Sequence, residues 1–155
     1  MIRVSKLTDY GIILLVHMAS KPIGTVFSAK ELSVASSVPL PTVSKLLKSL
    51  VNSHLISSKL GVNGGYVLAY EPHGISVSRM IEALEGPLLL TDCASQVEHT
   101  CVLEKECPTK TPWQKVNQVI HEALGQLTLA QMAENFCNSQ DAQVLSKKLY
   151  SIGVQ

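Results

Sequence analysis

Three cysteines, Cys93, Cys101 and Cys107, carry the chemistry most legible in this 155-residue chain. Their spacing is Cys-x7-Cys-x5-Cys, on a stretch without sustained periodicity, so the three thiols can converge on one centre. Thiolate is the ligand shared by zinc and iron–sulfur sites. The Cys-x2-Cys pair of zinc fingers and zinc ribbons is absent. Three readings stay open: ligands of a metal or cluster, a thiol redox switch, or inert cysteines. A centre with three thiolates has one position left, and the candidates are Asp9, His99, Glu104 and Cys137. A carboxylate there would be labile and would suit a sensor better than a permanent structural site. Cys137 lies in an apolar helical stretch and is expected in the core. The five histidines form no H-x3-H or H-E-x2-H pattern. No nucleophile elbow, phosphate loop or paired-carboxylate arrangement is visible, so neither catalytic residues nor a small-molecule substrate are expected.

The chain is 46% apolar and 16% charged, which argues against disorder and for one domain with an appendage. Its net charge of +1 hides an asymmetry. Residues 1–80 hold eight Lys/Arg against three Asp/Glu, a net +5, and residues 81–155 hold five against nine, a net −4. A basic half beside an acidic half points to a polyanionic partner. The N-terminus imitates a secretory signal, but Asp9 and His17 interrupt it and no small-x-small cleavage site follows. A cytosolic protein without a membrane span is expected, and cysteines in that setting argue for metal or redox chemistry over structural disulfides.

The elements that must position these groups read as follows. Residues 5–20 predict a helix apolar nearly all round, buried by core or by a partner subunit. Ser28-Ala29-Lys30-Glu31 is a capping box opening a short helix that ends near Ser36. After the turn Ser37–Leu40, Pro41 suits the first position of the next helix. There Val43, Leu46, Leu47, Leu50 and Val51 make an apolar stripe, and the opposite face carries Thr42, Ser44, Lys45, Lys48, Ser49 and Asn52 without an acid. A short helix, a tight turn and a second helix with a basic polar face form the helix-turn-helix pattern. Residues 55–59 and 66–70 predict strands, with Tyr66, Leu68 and Tyr70 alternating, and Asn63-Gly64 between them signals a hairpin. A hairpin at this place is the wing of a winged helix. Ser76 caps a helix that Gly86-Pro87 ends. Thr111-Pro112-Trp113-Gln114 reads as a second capping box, opening a longer helix with Trp113, Val116, Ile120, Ala123 and Leu127 on one face. Thr128 caps a further helix to about Phe136, and a polar tail follows.

Ser5-Lys6-Leu7-Thr8-Asp9-Tyr10-Gly11, Ser28–Leu32, Asn63-Gly64-Gly65-Tyr66-Val67-Leu68-Ala69 and Ile81-Glu82-Ala83-Leu84-Glu85-Gly86-Pro87 resemble the Rrf2 family of bacterial winged-helix regulators. The resemblance spans residues 1–136. Within the family it is strongest to the regulator of the SUF iron–sulfur assembly operon, through the Arg3–Gly11 start. It implies a mainly α fold with a small β-hairpin: a winged helix-turn-helix over 1–87, a cysteine-bearing loop over 88–110, dimerisation helices over 111–136 and a polar tail over 137–155. It further implies a homodimeric transcriptional regulator, built on the long C-terminal helix, on a palindromic double-stranded DNA operator. Thr42, Ser44, Lys45, Lys48 and Ser49 would meet the major groove, and Lys59, Asn63 and Gly64 would set the wing on the backbone. Cys93, Cys101 and Cys107 would ligate an iron–sulfur cluster, 2Fe-2S or 4Fe-4S. IscR-like members take a fourth ligand from a His three residues beyond the last Cys, where this chain has Lys110. NsrR-like members take an Asp from the first helix of the partner subunit, and Asp9 stands at that place. The first cysteine gap is seven residues where those members have five, and Ser44 matches a position that can be Glu. Two rival readings keep less of this: a zinc- or thiol-sensing winged-helix regulator, and an interaction or cluster-delivery module that no longer binds DNA.

Overall fold

The computed structural model describes residues 3–91 and 107–138, with side chains through Glu134. The chain order is α1 (Lys6–Ala19), α2 (Ala29–Ser36), α3 (Leu40–Asn52), β1 (Ile56–Lys59), β2 (Gly65–Leu68), a 3-10 turn (Pro72–Gly74), α4 (Val77–Glu85), α5 (Lys110–Gln126) and α6 (Leu129–Asn138). This is the mainly helical winged-helix architecture with a two-stranded antiparallel sheet.

Capping chemistry sets most helix starts. The Ser5 hydroxyl accepts from Thr8 N–H at 3.1 Å and opens α1. The Ser28–Glu31 box forms reciprocally, at 2.7 and 3.1 Å, and opens α2. Ser37 closes α2 in the left-handed region with φ 56, and the Ser33 hydroxyl pins the turn by donating to the Val38 carbonyl at 2.6 Å. α3 begins at Leu40, so Pro41 is its second residue, where a missing N–H still costs no intrahelical bond. Ser76 caps α4, and Thr128 forms a box with Gln131 ahead of α6.

One core joins these elements. Leu14, Leu15 and Met18 of α1 meet Leu32 of α2, Val43, Leu47 and Leu50 of α3, Met80 of α4 and Leu129 of α6. Gly11 lies where α1 meets α4: a Cβ there would stand 2.5 Å from a Leu84 methyl, so the bare backbone permits the approach. The stripe read on α3 is the buried face, with Val51 half-buried at its edge. The wing is tied to the body by a second pairing: Phe27 and Tyr66 exchange backbone bonds of 2.9 and 2.8 Å. Gly65 sits against the Phe27 backbone, with no room for a side chain.

Three local expectations change, although the hairpin signalled by Asn63-Gly64 forms, with Lys59 paired to Gly65 around a five-residue loop over 60–64. Gly61, at φ 110, bends the chain before Asn63 is reached, and Gly64 N–H closes on the Gly61 carbonyl at 2.9 Å. β2 ends at Leu68, so Tyr70 lies outside it and is 42% exposed, its ring 4.4 Å from the Arg79 guanidinium. Val67 and Leu68 are both buried, so the expected alternation does not hold. Finally, α5 starts at Lys110 with Thr109 ahead of it and no side-chain cap, so Thr111 is inside the helix and makes no capping box.

α5 buries none of its residues completely. It leans on α4 through His121 Nε2 and Glu82, 3.1 Å apart, and Asn117 accepts from Leu90 N–H at 3.1 Å. Val116 and Val119 of α5 and Leu127 just beyond it are exposed, and Trp113, also partly exposed, lines a cleft with Ile81, Leu88 and Ile120. At the end of α5 the chain returns to the body: Val77 N–H donates to Leu127 at 2.9 Å and Leu129 N–H to Ile75 at 2.8 Å. α6 then packs on α1 and on the 3-10 turn.

Candidate nucleic-acid interface and thiol segment

The buried stripe of α3 fixes what its other face presents. Ser44, Lys45, Lys48 and Asn52 are exposed, and Thr42 and Ser49 are half-buried at its margins. Ser49 folds its hydroxyl back toward the Lys45 carbonyl at 3.5 Å. Neither lysine has an ion pair among the described residues. No Asp or Glu occurs between Glu31 and Glu71, so α3 and the wing together carry Lys45, Lys48 and Lys59 with no acid to offset them. Such a surface holds phosphates through its cations, while hydroxyls and an amide on one helix face are suited to base edges.

The wing adds a further cation and exposed polar groups. Lys59 ends β1, exposed, and Asn63 is exposed in the loop beyond it. Gly64 is half-buried beneath the loop, because a Cβ there would run into the carbonyl oxygens of Lys59 and Gly61. Gly64 therefore shapes the turn and offers little surface of its own.

Of the proposed ligands, Asp9 and Cys107 fall within the described residues, and Cys93, Cys101, His99 and Glu104 lie outside them, as does the Cys137 side chain. Asp9 is exposed in the first turn of α1. Cys107 leads into α5, partly exposed, with its Sγ 3.3 Å from the Thr109 hydroxyl. That hydroxyl, followed by the Thr109 and Lys110 amides and the Lys110 charge, pulls the thiol below its ordinary range. A lowered pKa raises the share of thiolate, the form that ligates metal and attacks electrophiles. Among the described residues no three His, Cys, Asp or Glu side chains gather for a metal.

A clasp between distant segments escaped the sequence reading. The Glu85 carboxylate, at the end of α4, accepts from Ser5 N–H and from the Thr8 hydroxyl, each at 2.6 Å. Thr8 is fully buried. These bonds, the Thr8 hydroxyl foremost, hold Glu85 below the usual carboxylate range. The clasp joins the turn carrying Asp9 to the helix end that leads toward the cysteines. The partners are 77 residues apart, and only the tertiary packing of α1 on α4 reveals them.

Comparison with known proteins places this geometry. A family model described as Rrf2, iron-dependent transcriptional regulator, matches residues 4–135. The chain is 30% identical over 141 residues to the HTH-type transcriptional regulator CymR of Bacillus subtilis (strain 168), covering 90% of this chain and 96% of that protein. It is 30% identical over 117 residues to the regulator NsrR of Shouchella clausii, covering 76% and 74%. The solved structure of B. subtilis CymR, the global cysteine regulator, superposes with a TM-score of 0.67 at 31% identity, over 87% of this chain and 98% of that one. T. potens IscR superposes with a TM-score of 0.61 at 27% identity, over 90% and 91%.

Proposed function

Because the chain belongs to the Rrf2 family of transcriptional regulators and not to a family of enzymes, we propose that it is a homodimeric, iron–sulfur-dependent regulator of transcription. The observation that carries the DNA-binding part is the acid-free surface of α3 and the wing. Thr42, Ser44 and Ser49 read base edges in the major groove, Lys45 and Lys48 hold phosphates, and Lys59 with Asn63 sets the wing on the backbone. The exposed apolar residues of α5, Trp113, Val116 and Val119, support pairing with a second copy and hence a palindromic operator.

The thiol donor set fits an iron–sulfur cluster, with Cys107 already biased toward thiolate. Cys93, Cys101 and Cys107 would hold the cluster, with Asp9 of the partner subunit as the fourth ligand. When bound, the cluster supplies a site that oxygen, nitric oxide or iron shortage can alter. Asp9 sits next to Thr8, and the Thr8–Glu85 clasp ties its turn to the approach to the cysteine loop. Loss of the ligand set would therefore free α1 of one subunit from the loop of the other and change the separation of the two α3 helices, an element with two arrangements biased by a local event. Likeness of the N-terminal segment to the SUF regulator suggests repression of iron–sulfur assembly genes in the cytoplasm.

The test is anaerobic purification with iron and sulfide analysis, followed by DNA binding of cluster-loaded and cluster-free protein. Cys107→Ser should abolish the visible absorbance, Asp9→Ala should alter it, and Val116→Glu should yield a monomer in sedimentation. An unchanged spectrum and operator affinity in Asp9→Ala removes Asp9 as a ligand. Likeness to a global cysteine regulator and the lowered pKa of the Cys107 thiol favour a second reading, in which the thiols respond without a cluster. Colourless protein whose DNA binding follows thiol oxidation would establish it over the first.

A further inference from the structure

The wing tip is the most exposed apolar surface among the described residues. Leu60 is 99% and Val62 105% exposed, while the next large apolar side chain, Val34, is 75% exposed. Single exposed apolar residues are ordinary on any protein. Here two flank Gly61 on one protruding turn. That turn is held in shape: Gly64 N–H closes on the Gly61 carbonyl at 2.9 Å, and the base of the ribbon is pinned to Phe27 through Tyr66.

The tip belongs to the stretch between Glu31 and Glu71 that holds no acid and includes α3, with Lys59 immediately before it. This charge excludes a basic partner and matches DNA. Neither Leu60 nor Val62 has a hydrogen-bonding group, so they cannot pair with the acceptors on the minor-groove floor. What a compact apolar protrusion can do there is press against the deoxyribose walls and pry between base pairs. Unstacking is easiest at flexible pyrimidine–purine steps and hardest in stiff A-tracts.

We propose that Leu60 and Val62 form an apolar wedge that enters the minor groove flanking each half-site and selects it by deformability. This inference rests on the DNA-binding reading above and adds a specificity-determining contact to it. Lys59 anchors the phosphate beside the wedge, and Gly61 and Gly64 keep the turn narrow enough to enter.

The probes are duplexes enriched by the full-length protein from a randomised library, then varied at one flanking step. Wild type should prefer a TA or CA flank over an A-tract by about tenfold, and the Leu60→Ser/Val62→Ser variant by less than about twofold. The salt dependence of both should be the same, because no phosphate contact is lost. 2-Aminopurine at the flanking step should brighten on binding wild type and stay quenched with the variant. Both side chains are free of packing contacts, and an unchanged circular dichroism melt confirms that the variant folds. Equal flank preference in the two proteins, or a quenched probe in the wild-type complex, overturns the wedge and leaves the DNA-binding reading standing. If wild type enriches no duplex at all, the DNA-binding reading fails and the wedge falls with it.

Discussion

Replacing Thr8 by valine should cost stability at neutral pH and almost none in acid. The substitution keeps a β-branched side chain of the same shape in a fully buried position and removes only the hydroxyl that donates to Glu85 at 2.6 Å. Hydrogen bonds to a charged group contribute about 1.5–3 kcal/mol. Glu85 itself lies at the surface, where solvent screens it, so about 1 kcal/mol is expected here. The pH dependence follows from the direction of the shift. Glu85 is held below its ordinary 4.5 in the folded chain, so the clasp contributes fully above that value and is lost as pH falls through the folded pKa. Urea denaturation of wild type, Thr8→Val, Glu85→Gln and the double variant, at one protein concentration, gives the coupling energy directly. The reasoning is refuted if Thr8→Val matches wild type at neutral pH, or if its deficit stays unchanged well below 4.5. A positive result would also bear on function, because the clasp is the connection between the Asp9 turn and the helix leading toward the cysteines.

Lys45→Ala and Lys48→Ala should each reduce the slope of log affinity against log salt by about 0.9 without altering the melt, as measured by fluorescence anisotropy. An unchanged slope would mean that the lysine meets no phosphate. Gly64→Ala must displace the carbonyls of Lys59 or Gly61. It should cost about 1–2 kcal/mol in urea denaturation and weaken DNA binding, and wild-type behaviour in both would contradict the tight turn. Cys107 should be alkylated at neutral pH faster than an unperturbed thiol, because Thr109 favours its thiolate. Thr109→Val should slow it, and mass spectrometry of the Cys107 peptide under limiting iodoacetamide reads the difference.

What could be read from the sequence was local. The caps at Ser28, Ser76 and Thr128 lie within three residues of the amides they serve. The stripe of Val43, Leu46, Leu47 and Leu50 repeats within one helix. The α3 face was equally legible, because burial of one side determines the other. The wing hairpin was legible from Asn-Gly between two short strands, but the positive φ at Gly61 and the pairing of Tyr66 with Phe27, 39 residues away, were not. Tyr70 followed the period on paper, but the strand had already ended and Arg79 offered its ring another partner. The Glu85 clasp has no sequence signature, since a Thr in a first turn and a Glu in a last turn are each unremarkable alone. As for the thiols, the sequence showed their spacing, and the structure added the chemistry of one of them, Cys107.

The return of the chain after α5 bears on how such a protein can be taken apart. Ile75 and Val77 are bonded to Leu129 and Leu127, and Leu129 fills the core beside Leu14 and Met80. The DNA-reading half is thus finished by residues that come after the long helix. It is not a cassette that could be cut at residue 87 and fused to another sensor, because the cut would open its hydrophobic centre. The chain after the long helix is part of the same folded body as the elements before it, and the two unfold together.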